Sequence, residues 1–140
     1  MVVAGDSAGG GLAVALMLRL QDSSLPLPLR AALFYPWTDL AATSDTIRAN
    51  TRRDAMFEGS GIAGASAAYV GNSDVPDPLI SPLYADLAGL PPLLIHAGKG
   101  EVLQDGSTRP VSCGARLANH NRVYPGRPAF AGGCGPLPAR

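Results

Sequence analysis

Residues 5–9 read Gly5-Asp6-Ser7-Ala8-Gly9, preceded by the apolar run Met1–Ala4 and followed by the Ala- and Leu-rich stretch Gly9–Gln21. The first run predicts a short buried strand. The second predicts a helix, with no proline to stop it before Asp22-Ser23-Ser24, Pro26 and Pro28. A serine between glycines at a strand-to-helix junction carries the nucleophile-elbow pattern G-x-S-x-G. Flanking side chains would collide on so tight a turn, and Gly5 and Gly9 are expected to relieve that. The turn lifts the Ser7 hydroxyl above the sheet, and the helix start aims backbone N–H groups at it. The Ala8 N–H is then a natural oxyanion donor. The plainer alternative is a glycine-rich turn that only tightens the junction. Nucleotide readings fail on spacing: G-x-G-x-x-G needs glycine where Ser7 stands, and a phosphate loop needs a Gly-Lys-Ser/Thr that is absent.

Further along, Leu29–Tyr35 reads as a second buried strand stopped by Pro36. Residues 39–75 are polar and rich in Gly and Ala, with faint helical patterning over Asp45–Asn50 and Gly61–Tyr69. Pro76, Pro78 and Pro82 mark an irregular connection, after which Leu93–Ala97 forms a third strand. Strand, helix, strand, connection, strand is the grammar of an α/β fold with a parallel sheet.

The totals narrow the function classes. At 140 residues, 46% hydrophobic and 16% charged, the chain is long enough for one domain with a core. Eleven basic residues balance eleven acidic ones, which gives no argument for nucleic acid or an anionic membrane as a partner. The distribution is uneven: every Asp and Glu lies at or before Asp105, whereas residues 106–140 carry five Arg, five Pro and six Gly. Residues 110–140 are therefore expected to be a divergent, poorly ordered tail after a domain over residues 1–109. Cys113 and Cys134, with twenty residues between them and no histidine set around them, make neither a disulfide framework nor a zinc site, so no metal is expected. No basic leader with a cleavage pattern precedes the elbow, and the apolar stretch Leu12–Leu18 is too short to span a bilayer. A cytoplasmic location is the expectation.

Four stretches, taken in order, carry a family likeness: GDSAGGGLA (5–13), FYPWTDL (34–40), DPLISPLYADLAGLPPLLIHAG (77–98) and EVLQD (101–105). Together they resemble the C-terminal part of the hormone-sensitive-lipase-like carboxylesterases of the α/β-hydrolase fold, over residues 1 to about 109. The resemblance implies a mostly parallel sheet from the nucleophile strand onward and no organic cofactor. It also implies hydrolysis of small-molecule esters with short to medium acyl chains through an acyl-enzyme. Ser7 matches the nucleophile and Glu101 the acid of the triad, in an Asp/Glu-x-Leu-x-Asp pattern that follows the third strand. The tip of a parallel strand is also where such a sheet presents catalytic side chains; a solvated surface carboxylate is the alternative at Glu101. Asp6 matches an acidic residue that often precedes the serine, with a local cap on the elbow as its plainer role. Asp105 matches the pattern's second acid, a structural one. Family members often carry an acid at Gly100. The aromatic residues of FYPWTD could line an acyl pocket, but packing in the core or at its rim is the role their position favours, and Thr38 and Asp39 would cap the turn after Pro36.

Two elements of the family are unmatched. Tyr124–Phe130 resembles the family's W/Y-x-G-x-x-His-x-Phe type of pattern, with Ala129 where the histidine should be. The remaining histidines are His96, inside the third strand and expected to be packed and neutral, and His120, with no motif around it. The family's His-Gly-Gly-Gly loop and upstream strands find no counterpart before Met1. The economical expectation is a C-terminal piece of an esterase begun at an internal start, with a tail read partly out of frame and little turnover alone. A non-catalytic esterase remnant, or a fragment that works with a partner chain, is the alternative.

Overall fold

A computed structural model of the chain describes residues 1–57, 59–98 and 100–112. Three short apolar runs form strands β1 (Val2–Asp6), β2 (Arg30–Phe34) and β3 (Leu93–His96). Between and after them lie helices α1 (Ala8–Asp22), α2 (Asp45–Asn50), α3 (Gly59–Val70) and α4 (Gln104–Ser112), with a 3₁₀ turn at Pro82–Tyr84. Each element expected from the sequence is present within one or two residues of its expected bounds. Residues 113–140, with Cys113, His120, Tyr124–Phe130 and Cys134, lie outside the described residues; residues 110–112, expected to begin the tail, belong to α4.

The sheet runs β1-β2-β3 with both pairings parallel, so all three strands end at the same edge. Register aligns Asp6 with Phe34 and Phe34 with His96 across that edge. Parallel neighbours need crossovers, and α1 supplies the first one, packing on both β1 and β2. Alternation along β2 and β3 sends Ala31, Leu33, Leu93 and Ile95 to one face, where they bury against Val14 and Met17 of α1 and against Leu87 and Leu90. The other face remains open among the described residues: Val2 is 59% exposed and Phe34 43%.

A second apolar cluster gathers residues that follow β2 and β3. Trp37, Leu40, Ile47, Ile62, Val70, Val102 and Leu103 pack together. This cluster fixes the connections that leave the strand tips, which is where a site on this sheet must be built. No helix among the described residues is long and apolar enough to cross a membrane.

Candidate active site

Ser7 occupies the one residue between β1 and α1, with φ 50° and ψ −120°. A non-glycine residue at positive φ is strained, and it persists only where its surroundings over-determine it. Here they do so through the backbone. The Ser7 N–H donates to the Phe34 carbonyl at 2.8 Å, and the Ser7 carbonyl accepts from the N–H groups of Gly10 (3.0 Å) and Trp37 (2.9 Å). Ala8 opens α1, so its N–H is one of the first-turn donors that a helix leaves without an intrahelical acceptor.

The glycines around the elbow do different jobs, and the sequence reading of Gly9 needs correcting. A Cβ at Gly5 would collide with the Gly9 carbonyl, so only glycine fits there. A Cβ at Gly9 meets nothing within 4 Å, so Gly9 is not needed to relieve the turn. The close approaches lie one and two residues later. A Cβ at Gly10 would lie 2.7 Å from the Pro36 side chain, and one at Gly11 would run into the Trp37 carbonyl. Those two glycines let α1 press against the chain leaving β2, which is what brings the Trp37 N–H onto Ser7.

Glu101 follows β3, at the same edge of the sheet as Ser7. It is half-buried, and desolvation pushes its carboxyl above the ordinary carboxylate value; the Gly98 N–H opposes this, and the charges of Asp54 and Asp6 add to it. The Asp6 charge at the tip of β1 is near enough to oppose ionisation of Glu101. Gly98 makes room for the acid: a Cβ there would lie 2.8 Å from Glu101 Oε1. Asp6 itself is exposed at the end of β1.

The loop that carries Glu101 is gripped by α2 and the residues after it. Asn50 Nδ2 donates to the Glu101 carbonyl at 2.9 Å, and the Val102 N–H donates to Asp54 Oδ2 at 2.9 Å. Thr46 Oγ1 donates to the Val102 carbonyl and accepts from the Asp105 N–H, while Asp105 Oδ2 accepts from the Thr46 N–H. Desolvation would raise the Asp54 carboxyl, but the N–H groups of Val102, Met56 and Phe57 outweigh it and hold the group below its usual value. Asp105 thus serves structurally, tying α4 to α2.

Asp39 does more than cap a turn. It is 2% exposed and accepts from the Thr43 N–H and Oγ1, from Ser44 Oγ and from Tyr84 Oη, with Arg109 3.6 Å away. Thr38 Oγ1 donates to the Gly106 carbonyl, and Ser107 Oγ to that of Pro36. The chain leaving β2 is therefore bolted to both the elbow and α4. Sequence reasoning missed Asn50 and Asp54, whose partners lie 48 to 51 residues away and leave no local mark.

His96 sits two strands from Asp6 in register, about 10 Å at ordinary strand spacing. Its ring meets Tyr35 edge-on at 5.3 Å, and its Nδ1 is buried without a hydrogen-bond partner. That is a packed histidine, as its place in the strand suggested. A recess of about 320 Å³ opens beside Ala8 and Gly9, at the start of α1.

Comparison with known proteins agrees with this architecture. Residues 1–121 match the profile of the alpha/beta hydrolase fold family. An acetyl-hydrolase of Streptomyces hygroscopicus is 41% identical over 105 residues, covering 75% of this chain and 35% of its own length. An esterase of Acinetobacter venetianus is 38% identical over 110 residues, 78% of this chain and 36% of its own. Among solved structures, the hormone-sensitive-lipase homologue EstE7 from a metagenome library aligns with TM-score 0.79 at 39% identity, covering 83% of this chain and 41% of EstE7. The chain thus spans little more than a third of the length of these curated relatives.

Proposed function

The chain belongs to the alpha/beta hydrolase fold family, and from that premise we propose that it is the nucleophile-and-acid part of a carboxylic ester hydrolase. Ser7 attacks the ester carbonyl, the Ala8 N–H holds the developing oxyanion, and Glu101 orients the imidazole that takes the Ser7 proton. The bond from Ser7 Oγ to the acyl carbon forms as the alkoxy group leaves with that proton, and water then releases the acid. The observation that carries the reading is the positive-φ Ser7 at the N-terminus of α1, on the same sheet edge as Glu101. Small-molecule esters are the proposed substrates, in keeping with relatives named esterase and acetyl-hydrolase.

The test is hydrolysis of p-nitrophenyl butyrate by the purified chain and by Ser7→Ala. A rate abolished by the substitution supports the assignment, and equal rates overturn it. A second reading has its own observation: the one histidine among the described residues, His96, is packed against Tyr35, two strands from the elbow. On that reading the described part binds an ester without turning it over. Loss of the Ser7-dependent rate on His120→Ala would decide for catalysis with His120 as base.

A further inference from the structure

The stretch that ends α2 and follows it stands out by charge and exposure. Three of the six arginines among the described residues, Arg48, Arg52 and Arg53, fall within six positions, and all three are exposed. None of the three makes a side-chain hydrogen bond or ion pair among the described residues, in contrast to Arg109 beside Asp39. The balanced charge of the whole chain hides this cluster. Two apolar side chains follow it directly: Met56 is 81% exposed and Phe57 38%. The backbone beneath them is pinned, since Asp54 Oδ1 accepts from the Met56 and Phe57 N–H groups at 2.8 and 3.0 Å. Asp54 Oδ2 faces the Val102 N–H, so this carboxylate is turned onto the backbone rather than onto the arginines. Asp45, one turn before Arg48, is the other acid of the stretch, and Glu58 lies outside the described residues. The patch borders the acid loop: a Cβ at Gly100 would lie 3.9 Å from Arg53 Cβ.

We infer that residues 48–57 dock the chain onto an anionic lipid surface, with Arg48, Arg52 and Arg53 at the phosphates and Met56 and Phe57 among the acyl chains. The inference goes beyond the hydrolase reading and does not depend on it. Charge complementarity is the first argument. Guanidinium groups without a protein partner match phosphate oxygens, which they bind in pairs and with little hydration to lose. Three charges alone hold a protein to a membrane only weakly, and stable attachment takes a second signal. The apolar tip supplies it. Met56, the more exposed of the two, has no ring to stack on a base, so a nucleic acid would engage the arginines and leave it in water. No described helix can cross a bilayer, so the attachment is to the surface. It brings the sheet edge that bears Ser7 and Glu101 close to the layer in which apolar molecules dissolve.

Vesicle flotation with the whole chain tests this, using phosphatidylcholine alone and phosphatidylcholine mixed with phosphatidylglycerol. The chain should float with the mixed vesicles and not with the neutral ones, and added salt should release it. Arg52→Gln combined with Arg53→Gln should weaken binding about 25-fold, at about fivefold for each charge. Met56→Ser combined with Phe57→Ser should weaken it about tenfold or more and leave the salt dependence in place. Arg30→Gln removes an exposed arginine at the far end of β2 and should change nothing. All the substituted residues are exposed or nearly so, and an unchanged melt confirms each fold; should one double variant fold poorly, the other decides. Equal flotation with neutral vesicles, wild-type binding by both double variants, or the same loss in Arg30→Gln would overturn the inference. So would absence of vesicle binding in a chain that holds single-stranded RNA through the arginines, indifferent to Met56 and Phe57.

Discussion

The elbow and the acid loop sit on one sheet edge but are held by opposite means. Ser7 is fixed by the backbone of residues 5–11 and 34–37, through four main-chain hydrogen bonds and three places where only a glycine fits. The loop carrying Glu101 is held instead by side chains of Thr46, Asn50 and Asp54, reaching it from 48 to 59 residues away. Steric fixation is stiff and insensitive to pH. Of the three side chains, only Asp54 carries a charge, so its hydrogen bond to the Val102 N–H weakens on protonation while the Thr46 and Asn50 contacts do not. Ser7 is thus placed by shape, and the loop carrying Glu101 by side-chain hydrogen bonds.

The strongest challenge to that contrast is a pair of alanines. Gly5→Ala should cost about 3 kcal/mol or more, because the new methyl meets a carbonyl oxygen that α1 cannot withdraw. Gly9→Ala, four residues away inside the same motif, should be neutral or stabilise by up to about 1 kcal/mol, since alanine is the better helix former. Urea melts followed by circular dichroism measure both. Similar losses at the two positions would mean that the elbow is not fixed by the close approach at Gly5.

Asp39 joins the two regions and should come next in size. Its buried carboxylate collects four donors and stands near Arg109, so Asp39→Ala strands several polar groups at once. A loss of about 2–3 kcal/mol is expected. If the strand-tip connections share one support, amide exchange should quicken both around Ser7 and around Glu101. Faster exchange at one end alone would show that Asp39 serves only that end.

This division also decides what could be read from the sequence. GDSAG announces its own geometry because strand, turn and helix are neighbours in the chain, and the alternation of LLIH and RAALF marks the faces of β3 and β2. Even there, the motif misled about Gly9: the glycines under steric demand are Gly5, Gly10 and Gly11, and the demand on the last two comes from Pro36 and Trp37, which a local pattern does not contain. Glu101 was legible as a candidate through the family's spacing. Its supports were not. Asn50 and Asp54 lie in a polar stretch with only faint periodicity, and nothing in DTIRANTRRD says which side chain will meet a backbone group fifty residues on. The recess was illegible for the same reason, being assembled from four separate segments.

The two carboxylates of the acid end test the side-chain half of the contrast. Asp54 is held below its ordinary value of 3.8 because its backbone donors outweigh its desolvation. Its ionised form therefore stabilises the fold above that value, and the contribution is lost as pH falls through the lower folded-state value. Asp54→Asn should accordingly lower the melting temperature at pH 6, with the gap to wild type closing below pH 3.8. A gap that stays constant with pH would mean that Asp54 acts by shape alone.

Glu101→Gln should give the smallest effect, and one of opposite sign. Burial, with Asp54 and Asp6 adding to it, raises the Glu101 carboxyl above 4.5. The folded chain therefore holds that proton more tightly than the unfolded chain, and the resulting stabilisation fades as pH rises through the folded-state value. The ionised form of Glu101 is thus kept in a place that disfavours its charge. The neutral amide, of nearly the same shape, removes that penalty, so Glu101→Gln should raise the melting temperature slightly at pH 7 and leave it unchanged at pH 4. A residue that costs stability is what a reactive site tends to contain, since a group placed for chemistry is not placed for folding. A melt lowered at pH 7 would instead make Glu101 a supporting residue like Asp54, and the acid of the site would have to be sought elsewhere.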